Sequence, residues 1–168
     1  EPQAVTEALR IAREHDPLNF TAHASTRKQF HLIAAHRGET YAGLDALRPP
    51  LTMHYSGHLF GGDVPLSPAK IKRLHAEILD VLQRHDIGFG YGALAAGSDI
   101  LIAETLLAEG GELHVVLPVS IERFLAASVA PYGDAWINRF QTCLDRATSI
   151  AVLDAQAIWP EADIDAQA

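Results

Sequence analysis

Two hydrophobic spacings alternate along this chain. Apolar residues recur every three or four positions at Ala4, Ala8, Leu9, Ile11 and Ala12. That spacing predicts a helix over 4–15, stopped at Asp16-Pro17 because proline disfavours helix in the residue before it. A second helix is predicted over 20–36, with Phe20, Ala24, Phe30, Ile33 and Ala34 on its apolar face and Gly38 as its stop. Together they make an α-helical hairpin around Pro17-Leu18-Asn19. Residues 39–50 end in Arg48-Pro49-Pro50 and read as a linker.

Beyond the linker, short apolar runs take turns with amphipathic stretches. Strands are predicted over 51–56, 87–93, 112–118 and 149–154, and helices over 67–85, 98–109, 120–130 and 134–147. Ser67 and Pro68 place a capping side chain and a proline at the start of the first of these helices. The alternation predicts the α/β class: a Rossmann-like parallel sheet of about four strands, joined by right-handed crossovers with helices on both faces. The expected domains are a hairpin with its linker over 1–48 and the α/β domain over 49–168. Opening on Glu1 in mid-pattern, the chain reads as a piece of a longer polypeptide.

Charge narrows the partners. Thirteen Lys and Arg against 21 Asp and Glu leave a formal charge of −8, which repels a phosphate backbone and argues against nucleic acid as partner. One cysteine, Cys143, excludes an internal disulfide and a cysteine-built zinc site, and fits a reducing cytoplasm. No run approaches the ~18 apolar residues that span a bilayer, so no membrane is expected. Among the nine histidines no Asp, Glu or His set has metal-ligand spacing, so neither a metal nor another cofactor is expected.

Ligands of open parallel sheets bind outside the carboxyl ends of the strands. The residues following the predicted strands are Ser56, Gly57 and His58, then Gly92 to Asp99, then Pro118 to Ser120, and Asp154. Gly97-Ser98-Asp99 runs straight into an apolar helix, whose first turn offers unpaired N–H groups and about half a positive charge. The triplet therefore reads either as an anion site with Ser98 as cap or hydroxyl donor, or as an ordinary helix start. Glu104 falls in an apolar sector near Ile100, Leu107 and Ala108. A carboxylate there needs a partner, either a ligand hydroxyl such as a ribose or a protein group. Gly88, Gly90 and Gly92 do not make a dinucleotide fingerprint, because no complete strand precedes Gly90 and no acidic residue ends the next strand. No nucleophile elbow is present either.

Taken together, Tyr55-Ser-Gly-His58, Leu94-Ala-Ala-Gly-Ser-Asp99 with Ala103-Glu104, Val115-Val-Leu-Pro118 and Phe124 resemble the Rossmann-like SLOG superfamily. That group includes the DNA-processing protein A family and the cytokinin-activating LOG phosphoribohydrolases. The resemblance implies a nucleotide-related ligand between the Gly57-His58 turn and the Gly97-Ser98-Asp99 helix start, with Gly92, Glu104 and Pro118 alongside. It also implies a sensing module inside a larger signalling protein, since the hairpin looks like the end of a tetratricopeptide-like array. Two departures matter. The phosphoribohydrolases set their catalytic glutamate close behind a glycine-threonine turn, whereas Glu104 lies six positions beyond Ser98. The charge of −8 opposes the single-strand binding of the DNA-processing family. Ligand sensing without bond cleavage is the first expectation. The alternatives are an N-glycosidic hydrolase of nucleoside monophosphates with Glu104 in acid/base work, and an interaction module with a vestigial pocket. Expected partners are a nucleotide-like small molecule and an adjacent helical-repeat or signalling domain, and a homo-oligomer is compatible with all three.

Overall fold

A computed structural model describes residues 2–61 and 66–153. The chain divides into two compact units, Glu1–Pro50 and Leu51–Ala168.

The first unit is helical. Helix α1 (Pro2–His15) and helix α2 (Phe20–Arg37) flank a turn held by Asn19. The Asn19 side chain accepts the Ala22 amide at 3.2 Å and donates to Asp16 at 2.9 Å, so one residue both caps α2 and ties the turn. Gly38 ends α2 at φ 66°, a left-handed conformation that a side chain resists. The expected linker is corrected here, because Ala42–Leu47 folds as a 3-10 helix. Tyr41, Leu44 and Leu47 recur every three residues, the period of that helix, and so fall on one face. That face is buried with Leu9 and Ala34 as the core of the unit.

The second unit alternates as the spacing predicts. In order come β1 (Leu51–His54), α3 (Pro68–Arg84), β2 (Ile87–Gly92), α4 (Ser98–Ala108) and β3 (Glu112–Leu117). Then follow α5 (Ile121–Ser128), a 3-10 turn Ala130–Tyr132, α6 (Asp134–Arg146) and β4 (Ser149–Val152). The four strands form one sheet in the order β1-β2-β3-β4, each pair parallel. The unit is therefore a Rossmann-like α/β fold with a four-stranded parallel sheet.

This strand order corrects the expectation of helices on both faces. Each right-handed crossover steps to the next strand in the same direction, so every crossover helix lands on one face. Accordingly α4 packs against α3 on one side and α6 on the other, in a single layer. Being central, α4 is apolar nearly all round, with Ile100, Leu101, Ala103, Leu106 and Leu107 buried. Alternate β3 residues Leu113, Val115 and Leu117 point into this layer and are fully buried with Leu101 and Phe140. Helix α5 joins the layer through Phe124, whose ring lies 6.3 Å from that of Phe140. The opposite face, with Thr52, His54, Phe89, Tyr91, His114 and Val116, carries no helix among the described residues of this unit. Because the order of the described strands never reverses, they form no switch-point crevice.

Candidate functional site

Three loops meet at the carboxyl edge of the sheet. After β1 comes the turn Ser56-Gly57-His58, which packs directly on the start of α4. A Cβ on Gly57 would stand 2.2 Å from the Cβ of Ser98, so only glycine permits this approach. The His58 carbonyl accepts the Ser98 amide at 3.1 Å, Leu59 bridges Gly97, and Phe60 is buried with its ring 5.6 Å from that of Trp136. Gly97 itself has φ 113°, and a Cβ there would meet the His58 carbonyl oxygen at 2.5 Å. Gly97, not Ser98, is the N-cap residue, and no side chain caps this helix.

These contacts correct the expected open crevice between the Gly57 turn and the α4 start. The turn lies where the sequence pointed, but it closes on the helix and takes the Ser98 amide for itself. The Ala96 amide just before it is engaged as well, donating to the Ser128 carbonyl at 2.9 Å. Asp99 is buried at 6% exposure beneath the turn. Its burial pushes the carboxyl above its usual range, and the backbone amides of Ala95 and Gly57 pull it back in part. An internal carboxylate thus sits where an anion was expected.

Gly92 ends β2 under the ring of Tyr55, which fills the space a side chain at 92 would need and comes within 2.5 Å of where a Cβ would stand. Burial raises the Tyr55 hydroxyl above its ordinary pKa, with the Asp99 carboxylate adding to the effect. Among the described residues neither the Tyr55 hydroxyl nor Asp99 Oδ1 has a hydrogen-bond partner, although both atoms are buried. Pro118 follows β3 and is exposed, as are Ser56, Gly57, His58 and Ser120. The Ser120 hydroxyl caps α5 by accepting the Arg123 amide at 3.3 Å. Asp154 lies outside the described residues.

Glu104 takes its partner from the protein. Arg139 of α6 holds it with two bonds, Nε to Oε1 at 2.7 Å and Nη2 to Oε2 at 2.5 Å. The guanidinium lies 4.2 Å from the Trp136 ring centre, one helical turn away on α6. From α3, His75 Nε2 stands 3.8 Å from the same carboxylate. Since the Thr105 hydroxyl donates to the Leu101 carbonyl, the His75 Nδ1 facing it at 2.9 Å acts as donor. This network ties α3, α4 and α6 together. Of its members the sequence flagged only Glu104, because His75 and Arg139 lie 29 and 35 positions away.

On the sheet face opposite the helical layer a second array forms. His54, Tyr91, His114 and Ser149 are register partners across all four strands. Tyr91 and His114 stack at 4.3 Å, His54 lies 5.6 Å from Tyr91, and His114 Nδ1 is 2.8 Å from the Ser149 hydroxyl. Nothing in the hydrophobic spacing flagged this row, since successive members are 23 to 37 residues apart. Among the described residues no group of three or more His, Cys, Asp or Glu could hold a metal ion, and no helix is long and apolar enough to cross a membrane. Compared with known proteins, the chain matches no family model, no curated protein and no solved structure.

Proposed function

We propose that the 51–153 unit is a non-catalytic binding module of the SLOG type, taking a nucleotide-related ligand at the carboxyl edge of its sheet within a larger signalling protein. The observation that carries this reading is the docked Gly57 turn. Gly57 on Ser98, the His58 carbonyl on the Ser98 amide, and Asp99 beneath them hold two edge loops as one rigid piece. A preset surface of this kind lowers the ordering cost of binding. Exposed His58 and Ser56 on one side, and Pro118 with Ser120 on the other, are the groups available to a ligand. Its anionic part would meet the imidazole and hydroxyls rather than the Ser98 amide, which is already bonded. Binding here would report to the neighbouring helical hairpin only if the ligand favours one of two conformations.

Bond cleavage has less support. A glutamate held by two guanidinium nitrogens of Arg139 is fixed in one orientation, which suits a structural clasp better than a proton donor. Calorimetric titration with nucleoside monophosphates, dinucleotides and nucleotide sugars tests the proposal. The expected result is binding of at least one member, weakened about tenfold by His58→Ala and unchanged by Glu104→Gln, with no free base in the mixture. Silence across the whole panel overturns the reading, and base release abolished by Glu104→Gln replaces it with hydrolysis.

A further inference from the structure

Among the described residues the two edges of the sheet have no strand beyond them, and the β1 edge is blunted only by its four-residue length and a register shift between Leu51 and Thr52. Natural edge strands are blunted with lysine, proline or other charges, whereas β1 reads Leu51-Thr-Met-His54. The Leu51 and Tyr55 amides turn inward, to the carbonyls of Asp86 and Tyr91. By alternation the N–H and C=O groups of Thr52 and His54 face outward, symmetrically about Met53. Beside this edge lies a mainly apolar cavity of about 250 Å³, lined by Met53, Leu74, Ile78, Val81, Leu82 and Ile102 with Glu77 as its one charged residue. Val81 in its lining is 45% exposed, and Leu51 at the start of β1 is 44% exposed.

The charges along α3 say what covers this flank. Beside the apolar stripe Leu74, Ile78 and Val81 runs a row of five charged residues, Lys70 and Arg73, then Glu77 and Asp80, then Arg84 at the helix end. At about 100° per residue the five share one border of that stripe. The first four, two positive charges followed by two negative ones, complement themselves when the helix meets a second α3 running the other way. Centred on His75, an antiparallel crossing sets Lys70 against Asp80 and Arg73 against Glu77 of the other copy, while Arg84 falls opposite Leu66, ahead of the helix start. Arg73 now pairs with Glu77 at 2.8 Å, at 80% and 56% side-chain exposure, and Asp80 pairs with Arg84. Exposed pairs of this kind are worth little and can exchange partners at small cost.

We propose that the flank formed by the β1 edge and the outer side of α3 is a two-fold interface between two copies of this chain. Strand β1 pairs with its copy around Met53 through Thr52 and His54, and the α3 stripes close over the apolar cavity, an isologous contact in which each surface meets itself. Sedimentation of the whole chain tests this, using two charge-reversed forms whose changes are confined to the surface. One carries Lys70→Glu with Arg73→Glu and the other Glu77→Lys with Asp80→Lys. The wild type is expected to sediment as a dimer at micromolar concentration, each reversed form as a monomer with unchanged far-ultraviolet dichroism, and their equimolar mixture as a dimer again. A monomeric wild type overturns the proposal. So does a reversed form that dimerises as well as the wild type, or a mixture that stays monomeric.

Discussion

Gly57 and Ser98 stand so close that a single methyl group at 57 would lie 2.2 Å from the Ser98 Cβ. The contact joins residues 41 positions apart and fixes the first edge loop to the second. Gly57→Ala is expected to destabilise the fold by about 1–3 kcal/mol, as overpacking does. Adding Ser98→Gly removes the opposing Cβ and should recover part of that loss, so a double-mutant cycle from urea denaturation gives a coupling energy of opposite sign to the single loss. Additive effects would mean the two residues do not touch.

Replacing the Glu104 carboxylate by an amide leaves the Arg139 guanidinium, at 26% side-chain exposure, with one neutral acceptor and an opposing NH2 group in place of its two charged acceptors. Glu104→Gln should therefore cost about 1–3 kcal/mol, between an exposed pair and a fully buried one. Chemical denaturation of Glu104→Gln, Arg139→Gln and the double variant checks this. The double variant should lose less than the sum of the two.

Asp99 gives the fold a pH dependence opposite to that of an ordinary salt-bridged carboxylate. Burial raises its pKa in the folded chain above the value of the unfolded chain. Between those two values the folded state binds more protons, so stability falls as pH rises through the window and is greatest below the unfolded pKa. In Asp99→Asn this contribution is gone. Thermal melts of both proteins from about pH 7 down to about pH 4 should show the wild type gaining on the variant as the pH drops. A gap that is constant with pH contradicts it.

Cys143 lies wholly inside the helical layer, and burial pushes its thiol up to about 12. The thiolate that attacks alkylating reagents is then scarce and shielded. Labelling with iodoacetamide at about pH 8 should be negligible in the folded protein and should rise with the unfolded fraction in urea. Rapid labelling of the native chain would contradict this placement.

Much of the architecture was legible in the chain itself. Alternating spacings, Pro17 and Gly38 as stops, the Ser67-Pro68 start and the apolar run after Gly97 set the helices, strands and α/β class, because each signal acts within a turn or a pleat. Tertiary structure decided the rest. Tyr41, Leu44 and Leu47 look like linker residues until Leu9 and Ala34 give them a core to join. The Ser98 amide looks like an anion donor until the His58 carbonyl, brought in from another loop, takes it. Glu104 acquires Arg139, and His54, Tyr91, His114 and Ser149 fall into one row, only after the strands take their order. Periodicity fixes which side of an element is apolar. Which partner meets that side, and which sheet face receives the crossover helices, depends on crossovers that join residues dozens of positions apart.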